Sequence, residues 1–142
     1  MMTPERIETL KARALQAMQG AYAPYSHFRV GAAVLAADGA IYTGCNIENS
    51  AYSATCCAER VAVFSAVAAG AREIAAVAIV SDSQGATYPC GVCRQVLSEF
   101  AAQAEMPVYC GSAGGQWLET TLDQLLPHAF KAADMPGHEE KE

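Results

Sequence analysis

Ile74 to Val80 reads Ile-Ala-Ala-Val-Ala-Ile-Val, seven apolar residues in a row flanked by Glu73 and Ser81. A strand with one wet face would alternate apolar and polar residues, and this run does not. It is also too short to cross a membrane. It reads as a strand buried on both faces, which requires a layer of helix above and below it. The chain therefore has to be an α/β protein, and its 142 residues, 52% hydrophobic and 17% charged, suit one domain with a well-buried core.

The remaining segments supply the cover. Thr3 is placed to cap a helix with Pro4 at its first position, and Ile7, Leu10, Ala14 and Met18 recur at helical spacing up to Gly20. Residues 28–48 run apolar or alternate on both sides of Asp38-Gly39, a dipeptide that favours a tight hairpin turn with positive φ. A helix follows Cys57 and ends at Gly70, well placed as a C′ glycine. A second runs from about Gly91 to Ala102, Met106–Cys110 supplies a short strand, and residues 121–130 make a last short helix ending near Pro127. We expect a single domain over residues 1–130 and a polar, flexible tail over 131–142.

A net charge of -6 and a pI near 5.0 argue against a nucleic-acid polymer as partner and favour a small neutral ligand. The amphipathic N-terminal segment lacks the apolar stretch of a secretory signal, and no apolar run reaches membrane-spanning length, so the expected location is the cytoplasm. In a reducing cytosol, close-spaced cysteines point to metal binding or catalysis rather than disulfides. Of the six cysteines, Cys57, Cys90 and Cys93 stand in motif-like contexts, whereas Cys45, Cys56 and Cys110 read as small buried hydrophobes. His27, His128 and His138 read as surface or capping residues.

The cysteine motifs Cys56-Cys57-Ala58-Glu59-Arg60 and Pro89-Cys90-Gly91-Val92-Cys93 both fall where a loop turns into a helix. Helix N-termini offer unpaired N–H groups and partial positive charge, which stabilise thiolates. Cys90 and Cys93 have the spacing of two ligands to one zinc ion, and Cys57 can supply a third, leaving one position open for water. Glu59 would stand beside such a metal without ligating it, free to exchange protons. Taken singly these signals have plainer readings. A lone CxxC is also a structural zinc half-site or a thiol-redox pair, Asn46–Asn49 could be a turn, and Phe28 and Phe130 could be core aromatics.

Taken together, the segments 44–53, 57–62 and 89–99 resemble, in order and content, the small homotetrameric cytidine deaminases that use three cysteine ligands. The resemblance runs from Tyr25 to Phe130. It implies a three-layer α-β-α sandwich around a mixed five-stranded sheet. It assigns one zinc per subunit to Cys57, Cys90 and Cys93, and the proton shuttle to Glu59. Phe28 matches the aromatic that packs on the pyrimidine, Asn46 and Glu48 the ribose-binding pair, and Ala58 a further substrate contact. Phe130 matches an aromatic inserted into a neighbouring subunit's pocket, so the active sites would be shared in a homotetramer.

The activity so implied is hydrolytic deamination of cytidine and 2′-deoxycytidine in pyrimidine salvage, by zinc-bound hydroxide attack at C4 with Glu59 moving the protons. Three thiolates on a divalent ion leave a formal charge of 2 - 3 = -1, and Arg60 and Arg94 are the side chains placed to offset it. The alternatives are deamination of a related aminopyrimidine nucleoside, a non-catalytic zinc module and a thiol-disulfide oxidoreductase. One position departs from the family: members usually carry proline where this chain has Arg29. A charged side chain there must point to solvent or find a partner.

Overall fold

The computed structural model describes residues 2–137, and in it the apolar run is the middle strand of a five-stranded sheet. Helix α1 spans Pro4–Met18, capped as the sequence suggests by Thr3, whose Oγ1 accepts the Arg6 N–H at 3.2 Å. Strands β1 (Val30–Ala36) and β2 (Ile41–Cys45) form the hairpin. Its turn differs in detail from a two-residue one: Ala36 N–H donates to Ala40 O and Gly39 N–H to Ala36 O, and the positive φ, 94°, falls on Gly39 alone. That is a three-residue loop whose left-handed position only glycine occupies freely.

Helix α2 (Ala58–Ala68) ends in a Schellman motif, with Ala71 N–H donating to Ala66 O, Gly70 N–H to Val67 O, and Gly70 at φ 107°. Then come β3 (Ile74–Ser81), α3 (Gly91–Phe100), β4 (Pro107–Ser112), β5 (Trp117–Thr121) and a one-turn α4 (Leu122–Leu125). Helix α3 stops two residues before the expected Ala102, because the backbone there is taken into the sheet: Ala102 N–H donates to Ile74 O. Residues 132–134 form a 3₁₀ turn, while His138 and the rest of the acidic end lie outside the described residues.

The sheet order is β2-β1-β3-β4-β5, parallel only between β3 and β4 and antiparallel elsewhere. Alternate residues of β3 then face opposite layers. Ala76, Ala78 and Val80 pack with Leu10, Ala14 and Met18 of α1, while Val77 and Ile79 pack with Ala62, Val63 and Leu97 of α2 and α3. This is the mixed three-layer α-β-α sandwich that the sequence implies, and two glycines set its spacing. A Cβ on Gly31 would lie 2.1 Å from Ala14 O of α1, and one on Gly44 would lie 2.5 Å from Ala62 N of α2. Among the described residues no helix is long and apolar enough to cross a membrane.

Candidate active site

Because α2 and α3 lie on the same side of the sheet, their N-terminal ends carry the cysteine motifs into one place. Cys57 is the N-cap of α2, Cys90 is the N-cap of α3, and Cys93 lies in the first turn of α3. The sulfurs of these three residues all lie within 4.8 Å of one another, with Cys57 Sγ 3.8 Å from Cys90 Sγ. Three thiols converging from two helix N-termini make a donor set that fits zinc with a fourth position open. Cys56 is not part of this cluster, and its backbone pairs with Ile47 in an isolated antiparallel bridge. Cys110 is buried in the core, and all six cysteines are free.

The cluster already favours a thiolate. Hydrogen bonding from the Cys93 thiol, and then from Arg60 and Cys90, holds Cys57 down at about 5 against the opposing effect of burial. Donating to Cys57 and being buried push Cys93 the other way. The Arg60 Nη2 donates to Cys57 Sγ at 3.3 Å. Arg94 is engaged differently: its Nε donates to Pro89 O and its Nη1 to Leu125 O, both at 2.7 Å, so it braces the backbone beside Cys90.

Glu59, in the first turn of α2, is 4% exposed. Burial, followed by the charge of Cys57, lifts its carboxyl to about 7. A carboxyl so placed can take up and give back a proton near neutral pH.

A second group of the expected residues gathers around the loop that precedes β1. Asn46 is 8% exposed; its Oδ1 accepts the Val30 N–H (2.9 Å) and its Nδ2 donates to Phe28 O (2.7 Å). Glu48 Oε1 accepts the N–H groups of Tyr25 (2.9 Å) and Ser26 (3.1 Å), and its Oε2 accepts the Ser26 hydroxyl. These bonds hold its carboxyl below its ordinary range. Phe28 remains 41% exposed at the end of this loop, just after His27 at a left-handed φ of 59°. The Ile47–Cys56 bridge joins this group to the cysteine cluster.

Ala58 is fully buried against β2, and Phe130 is 59% exposed with its carbonyl accepting from Gln95 Nε2 (2.9 Å) on α3. A cavity of about 360 Å³ is lined by Tyr25, Ser26, Glu48, Tyr52 and Thr55, with the two tyrosine rings edge-to-face at 5.9 Å. Tyr25, Ser26 and Tyr52 lie within or beside the segments that carry the resemblance, and that adjacency was the only signal for them. A larger cavity, about 630 Å³, lies between the C-terminal half of α3 and α4, and includes none of these residues.

Residues 4–110 match the family described as the cytidine and deoxycytidylate deaminase zinc-binding region. The cytidine deaminase of Sporosarcina psychrophila is 54% identical over 129 residues, covering 91% of this chain and 94% of its own. That of Halalkalibacterium halodurans is 48% identical over 128 residues, covering 90% and 96%. The crystal structure of cytidine deaminase from Burkholderia pseudomallei superposes with a TM-score of 0.83 at 44% identity, covering 91% of this chain and 100% of that one.

Proposed function

The chain belongs to the cytidine and deoxycytidylate deaminase zinc-binding family, and from that premise we propose that it is a zinc-dependent hydrolase converting cytidine and 2′-deoxycytidine, with water, to the corresponding uridine and ammonia. The observation that carries this reading is the meeting of three cysteine sulfurs beside a buried glutamate whose carboxyl sits near neutrality. Cys57, Cys90 and Cys93 would hold the zinc, which when bound acidifies water and so supplies a nucleophile near pH 7.

The chain's own groups do the rest. Glu59 takes a proton from the attacking water and delivers it to N3 of the pyrimidine, then takes the proton of the new C4 hydroxyl and hands it to the amino group, which leaves as ammonia while the C4 carbonyl forms. Arg60, bonded to Cys57 Sγ, offsets part of the excess thiolate charge. Arg94 keeps Pro89, and with it Cys90, in place. Phe28 stacks on the base while Asn46 and Glu48 reach the ribose. Holding the loop does not exhaust them, since an amide nitrogen has a second hydrogen and a carboxylate oxygen accepts more than one donor. Phe130 closes the pocket of a neighbouring subunit in a homotetramer. The six free cysteines suit a reducing cytoplasm, and the reaction itself suits nucleoside salvage.

The test is absorbance of cytidine, 2′-deoxycytidine, cytosine and CMP, each incubated with the zinc-loaded protein, together with an ammonia assay. Loss of the cytosine chromophore matched by ammonia is expected for the two nucleosides, with CMP poor because the acidic site repels phosphate. Full zinc occupancy with no turnover of either nucleoside would instead make this a zinc-binding module.

A further inference from the structure

Residues 26–30 carry Phe28 into β1, and this segment is held from two sides. On one side Asn46 bonds both the Phe28 carbonyl and the Val30 N–H. On the other, one step beyond the last β1–β3 register pair, Val30 with Ser81, the Asp82 N–H donates to Arg29 O at 3.2 Å, and Asp82 Oδ2 accepts the Arg29 N–H at 3.2 Å. The Arg29 side chain reinforces this link. Its Nε donates to the same Oδ2 (3.2 Å), its Nη2 to Oδ1 (3.4 Å), and its Nη1 to Gln19 Oε1 (3.4 Å) at the end of α1. One guanidinium ties together the strand entry beside Phe28, the loop that leads from Asp82 to Cys90, and the C-terminal end of α1.

The Arg29 and Asp82 side chains are 44% and 33% exposed, so solvent screens the pair and its effect on global stability is small. A planar fork meeting both oxygens of one carboxylate contributes direction instead. We propose that Arg29 is a positioning residue for nucleoside binding: through Asp82 and Gln19 it fixes the backbone that presents Phe28, and so sets KM rather than kcat. The proposal rests on the deaminase reading above, because the angle of Phe28 matters only if a base packs on it.

The test uses the full-length, zinc-loaded protein with Arg29→Gln, Arg29→Lys, Asp82→Asn and the double variant Arg29→Gln/Asp82→Asn. Each single change raises KM for cytidine about two- to fivefold, the range to which the strength of an exposed pair converts, while kcat and zinc content stay at the parent's level. Lysine does not restore KM, because an ammonium cannot meet both oxygens in the plane of the fork. The double variant is no worse than the worse single. Hydrogen exchange at the Phe28 and Arg29 amides quickens in every variant. An unchanged KM in both Arg29→Gln and Asp82→Asn, a fall in kcat at constant KM, or full additivity would overturn the proposal. A parent that leaves cytidine intact overturns the functional reading instead. The two failures are separable because the exchange measurement needs no turnover, and unchanged exchange in the variants removes the clamp whatever the substrate.

Discussion

Glutamine at position 59 would keep the volume of a side chain that is 4% exposed and remove its capacity to exchange a proton. Glu59→Gln is therefore expected to retain zinc and fold while losing about 10²- to 10⁴-fold in turnover, the range of a general acid–base group. Steady-state rates beside metal analysis check this, and activity within about tenfold of the parent removes the assignment. The adjacent cysteines separate equally sharply. Cys57→Ala, Cys90→Ala and Cys93→Ala should each lower zinc content, whereas Cys56→Ala and Cys110→Ala should leave it intact, since neither of the latter joins the converging sulfurs and Cys110 is packed in the core. The choice of Cys57 over Cys56 rests on the family resemblance, in which the ligand stands two residues before the glutamate. The loop-holding bonds of Asn46 and Glu48 were not legible in the sequence, because their partners lie 16 to 23 residues away and local spacing does not encode them. On charge grounds Arg29 had to reach either solvent or a partner, and only the register of β1 on β3 brings Asp82 to it.

At the scale of elements, the two glycines that let helices approach the sheet act on opposite layers, which makes them a matched pair of probes. A methyl group at Gly44 would overlap the α2 backbone at Ala58 and Ala62, and one at Gly31 would overlap α1 at Ala14 and Met18. Both Gly44→Ala and Gly31→Ala should cost about 1 to 3 kcal/mol or more, the usual range for overpacking, seen as lower midpoints in urea. Only the first displaces the helix that carries Cys57 and Glu59, so it alone should also weaken zinc retention in a chelator challenge. Equal zinc loss in both variants would show that the cluster depends on general stability and not on the seating of α2. Helix α1, the hairpin, α2 and β3 were readable because caps, turn glycines and apolar period agree there. Strand β5 was supplied only by the family resemblance. It is an edge strand paired to β4 alone, mostly half-buried or exposed, and Trp-Leu-Glu-Thr-Thr has no consistent alternation to reveal it.

For the molecule as a whole, what a single chain leaves in water bears on how the site is completed. Tyr52, Phe64, Val92 and Phe130 are large side chains left exposed. Phe130 in particular is anchored through its backbone to Gln95, while the residue stays 59% exposed rather than joining either core. If its ring closes a neighbour's pocket, Phe130→Ala should weaken cytidine turnover with little change in unfolding midpoint; a Phe serving its own domain would do the reverse. Mixing distinguishes the two further. Glu59→Gln subunits still donate Phe130, and Phe130→Ala subunits still carry Glu59, so a mixed oligomer contains sites in which both groups are present. After the two variants are dissociated together and reassociated, activity should rise above that of either alone. Verified mixed oligomers with no such gain would place Phe130 in the service of its own subunit.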